Sequence, residues 1–461
     1  MAEAMGELPL AGLRVLEIGY GIAAPVCART LGQFGADAIR VESVRRPDSL
    51  RTAGAGWVPL SVPWEIRRDT GTGINGFTCP EKRSVSLELD TPGGRAAFHR
   101  LVERSDVLVM NMSVDAVEQL GLRYADLRSL NPGLIYLNLF AFGSEGPYRS
   151  FRTWGGNLSA LSGLTALVGW PDRLPSGLPL SFPDYPSSMW GVIAVVAALL
   201  RRDVTGEGCE LEVAQLQVAI ECIAPSLAEA VLTGTTPARS GDQTRSGAPD
   251  GIFAADDGRH VVVSVLDDDA WARLADVEEL EALAADPAFA TAAMRLAHRA
   301  ALGERLSAWT STRSAWEVTW RLQEAGIAAF PVLDSLEVLR DEHLASRRFF
   351  RALPHARFEA ELCYGQAVGL SETPARATRA APAFGEHTRE VLAEVAGMSD
   401  AEIEALLAAG EAHEMTHRDV KLTRPFYGWI RNLVRLPWPP AAVEPAEVLF
   451  AQLDATYGGD G

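Results

Sequence analysis

Lysine is almost absent from this sequence: it occurs only as Lys82 and Lys421 among 42 basic residues. Acidic residues number 60, so the formal net charge at pH 7 is -18 with histidine neutral. A surface that binds nucleic acid or anionic lipid broadly needs an excess of positive charge. The composition therefore argues against nucleic acid and membrane as partners, but it allows a local arginine cluster that binds a phosphorylated small molecule.

Cysteine is also scarce, with five residues that are scattered, odd in number and without CxxC spacing. Such a set favours reduced thiols over a disulfide framework or a zinc site. We therefore expect a cytoplasmic protein without a metal site. The opening MAEAMGELP has no basic stretch followed by an apolar one, so we also expect no signal peptide.

Long hydrophobic runs are missing as well. The longest apolar run, residues 189–200, is too short to cross a bilayer, which takes about 20 residues of helix. We interpret it as part of a buried helix over 188–202.

Strand and helix patterns alternate over the first part of the chain. Candidate strands lie at 14–18, 38–42, 84–89, 106–111 and 134–142, and helical patterns lie between them near 25–34, 92–104, 114–120 and 124–130. This alternation predicts an α/β fold with a parallel, doubly wound sheet.

Later changes in composition divide the chain into domains. Residues 233–250 are polar and contain glycine, as expected of a linker, and GIFAADDGRHVVVSVLD predicts a hairpin that turns at Asp257-Gly258. We expect a large α/β domain to begin in 1–232, a smaller α+β domain at 251–335, and a return to the large domain at 336–410. Residues 411–461 form an extension to which the sequence assigns no role.

The first strand ends in a glycine pattern typical of dinucleotide-binding folds. RVLEI leads into Gly19-Tyr-Gly21, and Glu42 ends the second strand, about where such folds place a ribose-binding carboxylate. The third glycine is missing, because Ala24 stands in its place. Glycines at such a turn also serve backbone geometry alone, so this pattern does not establish a nucleotide site.

Colinear motifs from residue 10 to about residue 408 carry a more specific resemblance. They include LAGLRVLEIGYGIAAP (10–25), LGQFGADAIRVES (31–43), EKRSVSLELDTPGGR (81–95), FGSEGPY (142–148), RRDVTGEGCELEVAQLQ (201–217), LQEAGIAAFPVLD (322–334) and FGEHTREVL (384–392). In this order they resemble the family III CoA-transferases, or CaiB/BaiF family, which includes formyl-CoA and carnitine CoA-transferases. The resemblance implies a Rossmann-like domain without a dinucleotide, a smaller domain joined by long linkers, and an interlocked homodimer.

The resemblance also implies a nucleophilic aspartate before the apolar helix, and the matching residue is Asp184 in PLSFPDYPSS. On the residues alone, Asp184 is a good N-cap for that helix. With an ordinary pKa of about 3.9, an aspartate is an anion at neutral pH and needs no general base. Its attack on an acyl-CoA would give an acyl–aspartyl anhydride, through which CoA passes to a carboxylic acid without ATP. Glu145, in the GSEGP turn, matches a position near the nucleophile in formyl-CoA transferase-like members.

Coenzyme A or its acyl thioester is therefore the implied substrate, with no tightly bound cofactor. The positions that match the family's CoA contacts are Arg40, Arg45, Arg46, Arg51, Lys82, Arg83, Asn111, Met112 and Ala116. Single arginines are usually exposed surface residues. The pair Lys82-Arg83 is favoured because it lies in a matched motif. His387, in FGEHT, is interpreted as structural.

A racemase function is the first alternative. The 2-methylacyl-CoA racemases of the same family place a histidine and an aspartate on opposite sides of the α-carbon. The aspartate would be Asp184, but the histidine would fall near Gly156, and no histidine occurs between His99 and His260. The sequence therefore favours the transferase.

A non-catalytic subunit of a hetero-oligomeric CoA-transferase is the second alternative. Altered motif residues at Cys79-Pro80, Met112 and Gly156-Asn157 favour it, whereas the retained Asp184 disfavours it. Ile22 stands where formyl-CoA transferase-like members carry glutamine, so oxalate or formate handling is not predicted. Neither the acyl donor nor the acceptor follows from the sequence.

Overall fold

The computed structural model describes residues 7–52, 77–178, 181–244, 246–357 and 360–416. These residues form two compact units. The first takes the described parts of Met1–Ser162, Pro179–Ile223 and Arg340–Gly461, and the second takes those of Gly163–Leu178 and Ala224–Leu339. The predicted C-terminal extension lies, from residue 417 onward, outside the described residues.

Most strands of the first unit join one seven-stranded sheet. The strands in chain order are β1 (Arg14–Ile18), β2 (Asp37–Glu42), β3 (Lys82–Leu87), β4 (Val107–Met110), β5 (Ile135–Asn138), β6 (Cys209–Glu212), β7 (Asp250–Ala254), β8 (His260–Ser264), β9 (Ala328–Pro331), β10 (Phe350–Pro354), β11 (Ala360–Tyr364) and β12 (Ala412–His413). The sheet order is β12-β3-β2-β1-β4-β5-β6, and every pairing in it is parallel except β12 with β3. Strands β10 and β11 form a separate antiparallel hairpin.

The sheet order 3-2-1-4-5-6 is that of doubly wound nucleotide-binding folds. Between β1 and β4 the connections turn to opposite sides, which opens a crevice at the carboxyl ends of these strands. The predicted α/β fold with a mostly parallel sheet is therefore confirmed.

Helices cover both faces of this sheet. The α-helices in chain order are α1 (Ala23–Gln33), α2 (Ser49–Thr52), α3 (Pro92–Glu103), α4 (Val114–Leu120), α5 (Tyr124–Arg128), α6 (Gly155–Leu161), α7 (Leu164–Leu167), α8 (Asp184–Thr205), α9 (Gln215–Glu221), α10 (Ala224–Thr233), α11 (Asp268–Ala272), α12 (Glu281–Ala284), α13 (Ala292–Ala297), α14 (Arg299–Thr310), α15 (Ala315–Glu324), α16 (Ser335–Leu339), α17 (Glu342–Ser346), α18 (Thr388–Glu394) and α19 (Asp400–Ala408). Short 3₁₀ turns occur at Arg273–Asp276 and Pro287–Phe289. Among these helices, α7 and α10–α16 belong to the second unit.

Alternating side chains of the strands build two hydrophobic cores, one on each face of the large sheet. Leu16 and Ile39 point to the core shared with α3, α18 and α19. Val15 and Val109 point to the opposite core, shared with α1 and α8. This period of two is what a strand covered on both faces requires.

Helix α8 is buried on one face only. Gly191 is buried so closely that a Cβ there would lie 3.2 Å from the Sγ of Cys27 on α1 and 3.1 Å from a methyl of Leu137. Ile193 and Leu200, on the other face, are 57% and 65% exposed. The interpretation of this segment as a buried helix therefore holds for one face of α8 in the single chain and is wrong for the other.

No single helix of the described residues is long and apolar enough to cross a bilayer. Helices α9 and α10 reach the required length and composition only when the two are counted together.

The second unit packs its helices on a three-stranded antiparallel sheet of order β7-β8-β9. The predicted hairpin is present, and Gly258 at its turn has a φ of +76°. Val261, Val263 and Ala329 of this sheet pack against Trp271 and Leu322 in a core of their own.

Six charged side chains are buried together where β1, β2 and β3 lie side by side. They are Glu17, Arg40, Glu42, Asp48, Arg51 and Lys82, none more than 8% exposed, and we call them the β1–β3 ion cluster. Lys82 Nζ lies 2.9 Å from Glu17, Arg40 lies 3.0 Å from Glu42 and 2.5 Å from Asp48, and Arg51 lies 2.7 Å from Glu42. Three positive and three negative charges balance, as buried ions require.

Glu42 is the member whose ionisation is most clearly tied to folding. Burial alone would raise its pKa, but Arg51 and Arg40 hold the pKa down to about 2. A carboxylate with a lowered pKa stabilises the folded state above its unfolded pKa, and this contribution is lost as the pH falls toward the folded value. The contribution of Glu42 is therefore present at neutral pH and disappears between about pH 4.5 and pH 2.

We expect Glu42→Gln to lower the free energy of unfolding at pH 7 by roughly 3 kcal/mol, because it leaves one uncompensated positive charge in the β1–β3 ion cluster. The difference between variant and wild type should shrink as the pH falls below 4.5. Urea unfolding across this pH range measures it, with the exposed Glu118→Gln as control. A pH-independent difference, or none at pH 7, would contradict this account.

Candidate active site

A cleft opens at the carboxyl ends of β1 to β4, where the sheet order predicts a ligand crevice. It encloses about 620 Å³, open solvent included, and lies between the loops that follow these four strands. Its lining includes Gly19 and Tyr20 after β1, Ser43 after β2, Leu89 after β3 and Met112 after β4.

Two arginines carry the positive charge at the mouth of the cleft. Arg45 is exposed and lies 3.1 Å from Asp90. Arg46 is also exposed, and its guanidinium has no ion pair or hydrogen bond among the described residues. Arg46 is thus the cleft arginine whose charge is open to a ligand.

The other predicted cations are engaged inside the protein. Arg40 and Lys82 belong to the β1–β3 ion cluster, and Lys82 Nζ also donates to the carbonyl of Pro25 at 2.7 Å. Arg83 points to the opposite face of the sheet, where it pairs with Asp37 and Glu390 at 2.6 and 2.8 Å. Consecutive strand residues face opposite sides, so the structure does not bring Lys82 and Arg83 together as one binding pair.

Asn111 holds a neighbouring loop. Its Oδ1 accepts the Tyr20 N–H at 2.9 Å, and its Nδ2 donates to the Tyr20 carbonyl at 2.7 Å. Met112 lines the cleft, while Ala116 lies in the first turn of α4 and packs toward the core. Ser113 caps that helix by accepting the Ala116 N–H.

Asp184 is the first residue of α8, and its carboxylate lies where two helices begin. The N-cap position belongs to Pro183, so the prediction that Asp184 is the N-cap is wrong by one residue. The backbone N–H groups of Asp184 itself and of Ala23, the first residue of α1, lower the pKa of the Asp184 carboxyl. Ser188 Oγ contacts the carbonyls of both Ala23 and Asp184 at 2.8 and 2.7 Å, so it ties the two helix starts together.

Burial raises the pKa of Asp184 to about 6, and the hydrogen bonds from the Ala23 and Asp184 N–H groups oppose this rise. Helix N-termini also favour a negative charge. The carboxylate is therefore poorly hydrated yet still mainly ionised at pH 7, which are the properties of a reactive nucleophile.

Aromatic residues and a buried arginine lie near Tyr185, the residue that follows Asp184. Burial raises the pKa of Tyr185, with further contributions from Tyr364 and Asp184, while Arg29 opposes the rise. Arg29 stacks over the Tyr364 ring at 4.5 Å and donates to the Phe77 carbonyl at 2.6 Å.

The turn that leads into Asp184 is strained. Ser181 has a φ of +48°, and its carbonyl accepts the Asp184 N–H at 3.0 Å. A Cβ at Gly155, the first residue of α6, would lie 2.4 Å from the Ser181 Cβ. Backbone strain of this kind is typical of functional sites.

The model of CoA-transferase family III matches residues 10–388. The chain belongs to CoA-transferase family III. The expected family and enzyme class are thereby confirmed.

This chain matches several known proteins over nearly the whole of their length. It is 29% identical to a succinyl-CoA–D-citramalate CoA-transferase of Chloroflexus aurantiacus, over 87% of this chain and 97% of that one. It is 33% identical, with the same coverage, to the beta subunit of a succinyl-CoA–L-malate CoA-transferase of that organism. The crystal structure of a CaiB/BaiF family protein from Brucella suis matches with a TM-score of 0.75 and 27% identity, over 85% of this chain and 100% of that one.

Within this family III chain, two further predicted positions lie in loops. Glu145 is exposed in a turn held by Glu212, which accepts the Ser144 N–H at 3.0 Å. Its catalytic role stays a prediction. His387 precedes α18 and its Nδ1 accepts the Ser84 N–H at 3.3 Å, a structural contact far along the chain from Asp184.

The position expected for a racemase histidine is occupied by glycine. A Cβ at Gly156 would meet no atom of the described residues within 4 Å. No histidine of the described residues forms a hydrogen bond or ion pair with Asp184. The described part of the chain also holds no group of three or more His, Cys, Asp or Glu side chains that could bind a metal ion.

Sequence reasoning missed several residues of the site. Asp48 lies in an arginine-rich loop that contains no recognised motif. Glu88 lies within a predicted strand, where nothing marks it as a site residue. Ser188 carried a usable signal, because it follows Asp184 by one helical turn and small hydroxyl residues often bond back to the carbonyl four positions earlier.

Proposed function

We propose that this family III enzyme moves CoA from an acyl-CoA thioester to a carboxylic acid through an anhydride on Asp184. The observation that carries the proposal is the buried Asp184 carboxylate at the start of α8, which Ser188 ties to the start of α1. The loop between β1 and α1 lines the cleft at Gly19 and Tyr20 and ends at Ala23, while Asp184 itself is not part of the cleft lining.

The chemistry needs no external energy source. An Asp184 oxygen attacks the thioester carbonyl carbon, the C–S bond breaks, and CoA leaves as the thiolate. The acceptor carboxylate then attacks the aspartyl carbonyl and releases the donor acid, which leaves a second anhydride. The CoA thiolate attacks the acceptor's acyl carbon, forms the new thioester and restores the Asp184 carboxylate.

Helix-terminal N–H groups suit both halves of this reaction. Each addition places negative charge on a carbonyl oxygen, and preorganised backbone donors stabilise such oxyanions. The buried setting of Asp184 also limits hydrolysis of the anhydride by water.

The cleft provides a place for the CoA moiety. Arg46 and Arg45 at its mouth would attract phosphates, and the apolar surfaces of Met112, Leu89 and Leu120 would take the adenine ring. We leave Arg40, Lys82 and Arg83 out of this phosphate site because their charges are balanced inside the first unit.

Succinyl-CoA is the first donor to test, because it appears in the names of both curated relatives. Hydroxylated dicarboxylic acids such as malate and citramalate are the corresponding acceptors. A panel of other acyl-CoA thioesters tests the substrate class.

A second copy of the chain is the proposed partner. Met189, Ile193, Val196, Leu200 and Val204 form an exposed apolar stripe along α8, between 37% and 87% exposed. Their spacing of three or four residues places them on one helix face. A stripe of this size is expected to be covered in solution. The alternative is a different subunit, which the name of the L-malate relative supports for that protein.

The first prediction concerns Asp184. Asp184→Asn should lower turnover by about a thousandfold or more, because a neutral amide cannot form the anhydride. Wild-type protein incubated with the correct acyl-CoA should show an acyl adduct by intact mass, and hydroxylamine should convert Asp184 to the hydroxamate. For wild type, kcat/KM should rise as the pH rises through about 6, since the anion is the nucleophile.

Stability serves as the control for this variant. A carboxyl group with a raised folded pKa stabilises the fold at low pH, and the contribution is lost as the pH rises through about 6. Asp184→Asn should therefore be at least as stable as wild type at pH 8. Asp400→Asn, the same change at the first residue of α19, should keep full activity. Near-native transfer by Asp184→Asn would refute the mechanism, and wild-type inactivity without a second chain would favour the subunit alternative.

The second prediction concerns Arg46. Arg46→Ala should raise the KM for acyl-CoA about three- to tenfold with little change in kcat, because one phosphate contact is lost. The KM of wild type should also rise with salt more steeply than that of the variant. Arg128→Ala, at an exposed arginine outside the cleft lining, is the control. An unchanged KM in both Arg46→Ala and Arg46→Glu would remove Arg46 from the site.

The third prediction concerns assembly. Light scattering at micromolar concentration should give twice the 49.6 kDa of one chain. Leu200→Asp should weaken this dimer, whereas Leu370→Asp, at another exposed leucine, should not. A wild-type monomer would refute the homodimer.

A further inference from the structure

The loop that follows β2 brings Arg45 and Arg46 to the mouth of the cleft. It turns at Ser43, whose Oγ accepts the N–H groups of Arg45 and Arg46 at 3.1 and 3.2 Å. A hydroxyl that accepts two such bonds has one hydrogen left to donate. The partner of that hydrogen therefore determines how Ser43 is oriented, and with it the course of the loop.

Glu88 is the partner of that hydrogen. Ser43 Oγ donates to Glu88 Oε2 at 2.6 Å, and the Val44 N–H donates to Glu88 Oε1 at 2.8 Å. Both oxygens of one carboxylate thus bind consecutive residues of the loop. Tyr20 adds a contact from the loop after β1, because its hydroxyl donates to the Arg46 carbonyl at 3.2 Å.

Glu88 is itself anchored through its backbone, directly after β3. Its N–H donates to the carbonyl of Glu411, next to β12, at 2.8 Å. Its carbonyl accepts the N–H and the hydroxyl of Thr91, the N-cap of α3, at 3.0 and 2.7 Å. The carboxylate therefore reaches the loop from a point that is fixed to the sheet and to α3.

The charge of Glu88 opposes a direct role in binding phosphate. Glu88 belongs to the cleft lining although it is only 1% exposed. Burial would raise the pKa of its carboxyl, but hydrogen bonds from His413, Ser43 and the Val44 N–H hold the pKa below its ordinary value. Glu88 is therefore an anion at neutral pH, and an anion repels the phosphates of CoA. Its contacts with the loop explain its place in the cleft better than contact with a ligand does.

We propose that Glu88 is a positioning residue that holds the loop from Ser43 to Arg46 so that the Arg46 guanidinium is directed at the CoA phosphates. The proposal rests on the function proposed above only in that CoA occupies this cleft with Arg46 at its phosphates. A negative charge in the cleft then favours the binding of an anion, because it acts through the loop.

The test measures the binding of free CoA at pH 7 by titration calorimetry, which needs no acyl transfer. Glu88→Gln keeps the shape of the side chain, but its single oxygen cannot accept from both Ser43 and Val44. If Glu88 only faced the ligand, loss of its charge would tighten CoA binding. Because it holds the loop, we expect Glu88→Gln to weaken CoA binding about three- to tenfold, the effect of one lost hydrogen bond.

Asp90→Asn is the matched control. Asp90 lines the same cleft, but it is 48% exposed and pairs with the Arg45 side chain at 3.1 Å, with no bond to the loop backbone among the described residues. Its neutralisation removes a negative charge and frees Arg45, so CoA should bind about two- to fivefold more tightly. Equal weakening of CoA binding in Asp90→Asn and Glu88→Gln would overturn the proposal.

A double-mutant cycle determines whether Glu88 acts through Arg46. In an Arg46→Ala background, Glu88→Gln should have little further effect, because the group that it positions is absent. Ser43→Ala removes the hydroxyl that Glu88 holds, so it should weaken CoA binding to a similar extent and also lose its effect in the Arg46→Ala background.

Unchanged or tighter CoA binding in Glu88→Gln would overturn the proposal, as would a loss that adds in full to that of Arg46→Ala. If Glu88→Gln does not fold, Ser43→Ala decides by the same two criteria. Failure of the proposed CoA site gives a different result, because wild type would then bind no CoA, or Arg46→Ala would bind it as wild type does, before any Glu88 variant is measured.

Discussion

The β1–β3 ion cluster is the constraint on which the rest of the first unit depends. Removing one partner from such a cluster leaves an uncompensated charge in the interior, which costs several kcal/mol, so its geometry is fixed. The cluster joins three adjacent strands through Lys82–Glu17 and Arg40–Glu42, and it reaches the following loop through Asp48. Asp48 in turn holds Gly21. Arg40 and Lys82, which the family resemblance assigns to CoA binding, thus help to place the loops around the cleft.

The order of strands and helices could be predicted because hydrophobic periodicity is a local property. Val15 and Leu16 face opposite cores, as alternation in RVLEI requires, and the hairpin at Gly258 follows from its Asp-Gly turn. The partners of polar side chains could not be predicted, since Arg83 and Glu390 are brought together only by the return of the chain to the first unit. Family motifs marked Asp184 and Asn111, but only the fold shows that Asn111 bonds backbone.

The glycine pattern after β1 illustrates how one sequence signal has two explanations. A Cβ at Gly19 would lie 2.4 Å from a Glu17 carboxylate oxygen and 2.7 Å from the Pro25 ring. Glu42, at the position where dinucleotide-binding folds place a ribose-binding carboxylate, is buried against Arg51 and Arg40. The first glycine therefore makes room for the ion cluster and the start of α1, and the acidic residue is not free to bind a ribose. The same strand-turn-helix geometry that binds pyrophosphate elsewhere places the Ala23 N–H where it lowers the pKa of a carboxyl group of the protein itself.

Helix α8 has three structural roles. Its first turn carries Asp184, its inner face packs so closely on α1 that a side chain at residue 191 would have to displace its neighbours, and its outer face bears the apolar stripe. Because α1 and α8 pack against each other in one core, a displacement of α8 would move Asp184 relative to the start of α1. In the proposed dimer, burial of the stripe would restrain α8 from the outside, while Ser188 restrains it from within. Association of two chains would then contribute to catalysis without supplying a catalytic side chain, by limiting the positions open to the helix that carries the nucleophile.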